Sequence, residues 1–112
     1  MKPRNALLAA LPYDVESSLT TLGARLKLAR LRRNLSTEDV AQKIGVSRFV
    51  VAGAERGKPT TSIAVYAALL WAYDLIGQFT ELADPRRDEE GASLALSRER
   101  VHAGRTRADN DF

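Results

Sequence analysis

The sequence predicts an all-α fold. Apolar residues recur at three- and four-residue steps through most of the chain up to residue 83, which is the period of an amphipathic helix. No segment alternates apolar and polar residues over a sustained stretch, and glycine and proline fall where helices are expected to end. The 112 residues, 45% hydrophobic and 28% charged, suit one globular domain with a tail.

Residues 1–18 are predicted to form an N-terminal arm that holds at most one helical turn. The apolar run of this arm, residues 6–11, ends at Pro12 and is shorter than a usual signal-peptide core. No segment of the chain approaches the roughly 18 apolar residues that are needed to span a bilayer. We therefore expect a cytoplasmic protein that does not cross a membrane.

Residues 19–83 are predicted to form a domain of five helices. The first helix begins with the domain and ends at Asn34. The second helix covers about residues 37–44, and Ser36 is suited to be its N-cap because a serine oxygen accepts from an unpaired backbone amide. Gly45 can take the left-handed conformation that ends this helix.

The other three helices of the domain follow similar signals. The third helix starts after Ser47, another N-cap candidate, and runs to about Glu55, where a Gly-Lys-Pro segment follows. Thr61 or Ser62 caps the fourth helix. The fifth helix covers about residues 76–83, because the Asp-Pro pair that follows disfavours helical geometry.

Residues 84–112 are predicted to be a charged tail. The segment 86–112 holds six basic and six acidic residues and few apolar ones. A helix from Asp88 to about His102 is expected to be held by local ion pairs. Residues 104–112 cannot bury enough apolar surface to order themselves, so the tail is expected to be partly disordered.

The net charge of +3 conceals an uneven distribution of charge. Residues 25–58 hold nine basic and three acidic residues, a net charge of +6, whereas the rest of the chain holds eight basic and eleven acidic residues, a net charge of −3. Clustered cations indicate a polyanionic partner. A solvated basic helix face explains the charge alone equally well.

The composition leaves many catalytic chemistries without the residues they need. It has no cysteine, which excludes disulfides, thiol nucleophiles and cysteine-based zinc sites, and it has one histidine, His102. No phosphate-binding loop or metal-ligand spacing is recognisable. We expect a protein without catalytic residues, metal or cofactor.

The segment from Ser36 to Gly57 carries a helix-turn-helix pattern. Ala41 is small where two short helices cross, and Gly45 lies where the chain turns. Apolar residues at 46 and 51 let the second helix pack back on the first. In a helix-turn-helix the second helix enters the major groove of DNA, whereas a generic helical hairpin is the alternative structure.

Residues 22–75 resemble the XRE family, the helix-turn-helix domains that are similar to the phage lambda repressor. The resemblance includes the sequence Glu-Arg-Gly-Lys at residues 55–58, after the recognition helix. It implies a five-helix, lambda-repressor-like DNA-binding domain. This chain departs from the family in the apolar character of its recognition helix, at Phe49, Val50, Ala52 and Gly53.

The resemblance also implies an ion pair between Glu55 and Arg30, which ties the recognition helix to the first helix of the domain. A buried pair is expected here, and breaking one member then costs about 3–5 kcal/mol. The alternative is a surface pair that contributes roughly 0–1 kcal/mol.

Two groups of DNA contacts are predicted. Arg48, in the first turn of the recognition helix, suits a guanine edge, and Phe49, expected to be exposed, suits a thymine methyl group. Ala52 completes the predicted base-facing set. Phosphate contacts are expected from hydroxyl or cationic residues near helix ends, namely Thr37, Ser47, Lys58 and Arg32.

A homodimer on a palindromic operator is expected, because one recognition helix reads only a few base pairs of double-stranded DNA. Apolar residues of the last two predicted helices form the expected interface, although closing the monomer core is the alternative role for them: Leu69, Trp71, Leu75, Ile76 and Phe79.

The layout of one XRE domain followed by a charged helix and a short tail is similar to HipB-type antitoxins, which repress their own operon and bind a HipA-like kinase toxin. On that interpretation the tail orders on the toxin and Phe112 is an anchor. Two alternatives stay open: a stand-alone XRE-type repressor without a toxin, and a protein-interaction module of the same fold.

Overall fold

The computed structural model describes the backbone of residues 5–110 and the side chains of residues 5–104. Every regular element in this part of the chain is a helix, which confirms the all-α prediction. The elements are α1 (Ala6–Ala9), α2 (Tyr13–Arg32), α3 (Thr37–Ile44), α4 (Arg48–Glu55), α5 (Ile63–Ala72), α6 (Ile76–Phe79), a 3₁₀ turn (Pro85–Arg87) and α7 (Glu89–Asn110).

The chain divides into two compact units, one that ends at Phe79 and one that begins at Thr80. The first unit contains α2 to α6, the five helices expected of a lambda-repressor-like domain. The second unit contains the 3₁₀ turn and α7.

Three helix boundaries differ from the sequence prediction. The long helix α2 begins at Tyr13, six residues earlier than predicted, because Asp14 and Glu16 in its first turn interact favourably with the helix dipole. The short helix α6 ends at Phe79 instead of residue 83. The last helix, α7, continues to Asn110 instead of ending near His102, since alanine and arginine in this stretch favour helix.

Serine side chains set the starts of α3, α4 and α5. The Asp39 amide donates to the Ser36 hydroxyl at 3.0 Å, and the Ser36 amide donates to the Asp39 carboxylate at 2.9 Å, which forms a capping box. Hydrogen bonds from the backbone amide and then the side chain of Ser36 lower the pKa of the Asp39 carboxyl group. The Ser47 and Ser62 hydroxyls each accept from a backbone amide three residues on, at 3.3 Å. The starts of α3, α4 and α5 therefore follow from local capping chemistry.

The core of the first unit lies where α2, α3, α4 and α5 meet. Its largest fully buried side chains are Leu26, Val40, Val51, Leu69 and Tyr73. Burial raises the pKa of Tyr73 to about 12. Leu69 is 0% exposed, which fits the alternative role given for the predicted dimer residues, closing the monomer core. The sequence leaves both roles open because α5 is apolar on all sides, and spacing alone does not show which side meets the core.

The backbones of α2 and of the segment that follows α4 approach each other closely at two glycines. A Cβ atom on Gly23 would lie 2.5 Å from the Glu55 carbonyl oxygen and 2.7 Å from the Gly57 nitrogen. Gly57 has a φ of +73° and would place its own Cβ 2.6 Å from the Leu19 carbonyl. This contact between backbones positions the end of α4 against α2.

Candidate nucleic-acid interface

Helices α3 and α4 form the helix-turn-helix. Gly45, at a φ of +80°, ends α3, and its amide donates to the Ala41 carbonyl at 2.9 Å. The Val46 amide donates to the same carbonyl at 3.0 Å, which fixes the turn. Ala41 and Val51 are both buried, where the two helices cross. The four residues that indicated the motif in the sequence thus form the turn and the crossing.

An ion pair joins α4 to α2. Arg30 Nε donates to Glu55 Oε2 at 2.8 Å, and Arg30 Nη2 donates to Glu55 Oε1 at 3.0 Å. The side chains are only 10% and 6% exposed, so the pair is of the buried type. A third hydrogen bond, from Arg30 Nη1 to the Leu35 carbonyl at 3.0 Å, uses the nitrogen of the guanidinium that does not bond to Glu55. The hydrogen bonds to Glu55 raise the pKa of Arg30.

Two further basic residues of the segment 25–58 contact the protein itself. Arg33 donates to the Tyr73 carbonyl at 2.8 Å, at the end of α5, and its guanidinium lies 5.5 Å from the Tyr73 ring centroid. Lys43 donates to the Ala72 carbonyl at 3.4 Å and lies 5.5 Å from the Trp71 ring centroid. Cations near a helix C-terminus interact favourably with its dipole. Part of the +6 charge of this segment therefore supports the fold.

The first turn of α4 exposes the two residues predicted to read bases. Phe49 is 71% exposed, and the Arg48 guanidinium lies 5.1 Å from the centroid of its ring. Phe49, Val50 and Gly53 line one side of an open groove of about 380 Å³, which the start of α5 closes on the other side. Lys58 lies at this groove, with its aliphatic stem against Gly53.

A hollow of about 350 Å³, separate from the groove, lies between α2, the start of α3 and the end of α4. Ala52 and Thr37 line this hollow, whereas Phe49 lines the groove. Lys27 and Arg56 also line the hollow, and both are exposed. Neither cation was predicted from the sequence to be a site residue, although both belong to the basic segment 25–58.

The other predicted phosphate contacts have different positions. Ser47 is exposed, and its hydroxyl oxygen accepts the capping bond of α4. Arg32 is exposed in the last turn of α2 and lines neither the groove nor the hollow.

The predicted dimer residues divide into three groups. Leu69 belongs to the core, and Leu75 and Phe79 are partly buried against it. Trp71 and Ile76 are 54% and 36% exposed, so these two stay available to a second chain. The predicted anchor Phe112 lies outside the described residues.

No helix within residues 5–110 combines the length and the apolar character that spanning a membrane requires. Among residues 5–104, whose side chains the structure describes, no group of three or more histidine, cysteine, aspartate or glutamate side chains is arranged to hold a metal ion.

Comparison with known families agrees with the geometry of α3 and α4. A family described as a helix-turn-helix domain matches residues 21–82, which is more than half of the chain. No curated protein matches the chain. Families of this DNA-binding domain are typically non-enzymatic. The chain therefore belongs to the helix-turn-helix domain family, in the XRE-like class of DNA-binding regulators.

Proposed function

We propose that the protein is a repressor that binds a specific double-stranded DNA site with α4 in the major groove. The observation that carries this proposal is the exposed Arg48–Phe49 pair at the start of α4, the helix whose residues line both a groove and a hollow that carry cations. Base edges require exposed side chains in the first turn of the recognition helix, and phosphates on both sides require cations.

The phosphate contacts are assigned to hydroxyl and cationic residues around α4. Thr37 and Ser47 lie at the starts of α3 and α4, where backbone amides and the helix dipole favour an anion. Lys58 at the groove and Arg32 on α2 complete the set that was predicted. Because they share the hollow with Thr37, Lys27 and Arg56 join this group of contacts: Thr37, Ser47, Lys58, Arg32, Lys27 and Arg56.

Arg48→Ala is expected to weaken binding to the preferred site by about 1–3 kcal/mol and to leave binding to random DNA nearly unchanged, because arginine reads guanine through two hydrogen bonds. Lys58→Ala is expected to weaken all duplexes alike and to reduce the salt dependence by about one phosphate contact. Mobility-shift titrations at several salt concentrations measure both effects.

Arg25→Ala is the matched control, because Arg25 is an exposed cation of α2 that lines neither the groove nor the hollow. Equal losses on random DNA for Arg48→Ala and Lys58→Ala would contradict the division of roles. A wild-type protein without salt-dependent DNA binding would favour a protein-interaction module of the same fold.

We also propose that the protein acts as a homodimer that associates through Trp71 and Ile76. Both side chains are exposed apolar surface next to the core residues of α5 and α6. Two copies would place two recognition helices on the half-sites of a palindrome, about one helical turn of DNA apart. Such a regulator works in the cytoplasm, where DNA is accessible to it.

Trp71→Ala is expected to convert the dimer into a monomer, because a tryptophan supplies much of the apolar area of a small interface. Leu28→Ala, at a residue of α2 that is 48% exposed, is the matched control and is expected to stay dimeric. Light scattering during size-exclusion chromatography gives the mass in solution. A wild-type protein with the mass of one chain would disprove this interface.

The sharper form of the proposal is a HipB-like antitoxin that represses its own operon and binds a HipA-like kinase toxin through residues 84–112. Helix α7 supports it, because Leu94 and Val101 lie seven positions apart on one face of the helix and are each more than half exposed, so that an apolar partner surface would cover them. A stand-alone repressor leaves the same side chains without a partner protein.

Capture of partners from the native host by the full-length chain separates these two proposals. A kinase-like protein that is captured by the wild type and lost with Leu94→Arg and Val101→Arg supports the antitoxin. A wild type that captures no kinase supports the stand-alone repressor.

A further inference from the structure

The recognition helix has almost no side chain that can hydrogen-bond a base. Of the eight residues of α4, only Arg48 and Glu55 carry polar side-chain groups. Both oxygens of Glu55 accept hydrogen bonds from Arg30 within the protein. Arg48 therefore supplies the hydrogen bonds to a base, and all other contacts made by side chains of α4 are apolar.

The apolar contacts come from one continuous surface. Phe49 is 71% and Val50 is 37% exposed, and both line the groove together with Gly53. In the major groove the base edges offer hydrogen-bonding atoms and one apolar group, the C5-methyl of thymine. Cytosine carries the same methyl group when it is methylated at C5.

The distance between Arg48 and Phe49 places the methyl group within two base pairs of the guanine. The Arg48 guanidinium lies 5.1 Å from the Phe49 ring centroid. Successive bases along one strand are about 3.4 Å apart, so this distance is longer than one base step and shorter than two. When the guanidinium pairs with a guanine edge, the Phe49 ring lies beside a pair one or two steps away, where it contacts a methyl group without burying a polar atom of its own.

We infer that the protein reads a guanine together with a C5-methylated pyrimidine within two base pairs of it, so that thymine or 5-methylcytosine is bound more tightly than unmethylated cytosine at that position. This inference rests on the proposed DNA-binding function and specifies the DNA that the site accepts. It makes the affinity for a site with cytosine at that position dependent on methylation of the DNA.

The test uses duplexes selected from a random pool by the full-length protein. Each thymine within two base pairs of the conserved guanine is replaced in turn by deoxyuridine, and removing the contacted methyl group is expected to weaken binding about fourfold per half-site. In Phe49→Ala the thymine and deoxyuridine duplexes are expected to bind equally. Replacing the contacted thymine by cytosine and then methylating the cytosine is expected to restore affinity by a similar factor in the wild type.

Tyr13→Ala is the matched control, because it truncates an aromatic side chain that is 80% exposed at the start of α2. This variant is expected to keep the full difference between thymine and deoxyuridine. Selected duplexes that bind wild type equally with thymine or deoxyuridine at every position would overturn the inference and leave sequence-specific binding intact. A selection that enriches no sequence would overturn the proposed function itself.

Discussion

Gly23→Ala is expected to lower the free energy of unfolding by about 3 kcal/mol, at the upper end of what one added methyl group costs in a packed site. The new Cβ would lie 2.5 Å from the Glu55 carbonyl oxygen and 2.6 Å from the Ala54 carbonyl oxygen. These are backbone atoms, so relief requires α2 and α4 to move apart. In an open helix the same substitution stabilises by about 1 kcal/mol, so the sign of the effect identifies the close approach.

Gly77→Ala provides the control within the same unit, because a Cβ at this glycine of α6 would meet no atom within 4 Å. Urea denaturation followed by circular dichroism measures both variants. The expected pair of results is a large loss for Gly23→Ala and an unchanged or slightly higher stability for Gly77→Ala. A Gly23→Ala protein as stable as the wild type would disprove the backbone contact.

Glu55→Gln is expected to lower the free energy of unfolding by about 3–5 kcal/mol, because it leaves the Arg30 charge buried without its counter-ion. The side chains of the pair are 10% and 6% exposed, so solvent cannot replace the lost carboxylate. Glu55 also holds the end of α4 against α2, and we expect DNA affinity to fall together with stability. Thermal and urea denaturation of the variant measure the loss.

A double substitution separates the cost of an unpaired charge from the value of the pair. Replacing both partners, Arg30→Met with Glu55→Leu, is expected to be far less destabilising than Glu55→Gln, because no charge stays buried. Arg86→Ala is the surface control: the Arg86 side chain is 87% exposed in its pair with Asp84, and no measurable change in stability is expected. An unchanged melting temperature for Glu55→Gln would refute the buried pair.

The starts of α3, α4 and α5 and the turn between α3 and α4 were predictable because their causes are local in sequence. Ser36 and Ser47 accept amides only three residues away, and Gly45 takes a φ that other residues rarely adopt. The crossing of α3 and α4 follows from small and apolar residues at short spacing. Neither the segment nor its neighbours along the chain offer a competing structure.

The roles of individual cations were not predictable in the same way. Three cations look in the sequence like the other members of the basic segment: Arg30, Arg33 and Lys43. In the structure each of them donates a hydrogen bond to a residue at least 25 positions away. Lys27 and Arg56 are 29 positions apart in sequence and line the same hollow. Composition shows that cations are present, but only their surroundings show which of them are exposed to DNA.

The apolar residues show most clearly which properties the sequence predicts and which ones depend on the tertiary structure. The spacing of Leu69, Trp71 and Ile76 predicts helices but leaves open which side chains face inward, because α5 is apolar on every side. Packing against α3 and α4 buries Leu69 and leaves Trp71 half exposed. Caps, turns and the helix-turn-helix are thus properties of the sequence, since their energies come from neighbours. Burial, pairing and exposure depend on contacts between distant segments, which exist only once the chain has folded.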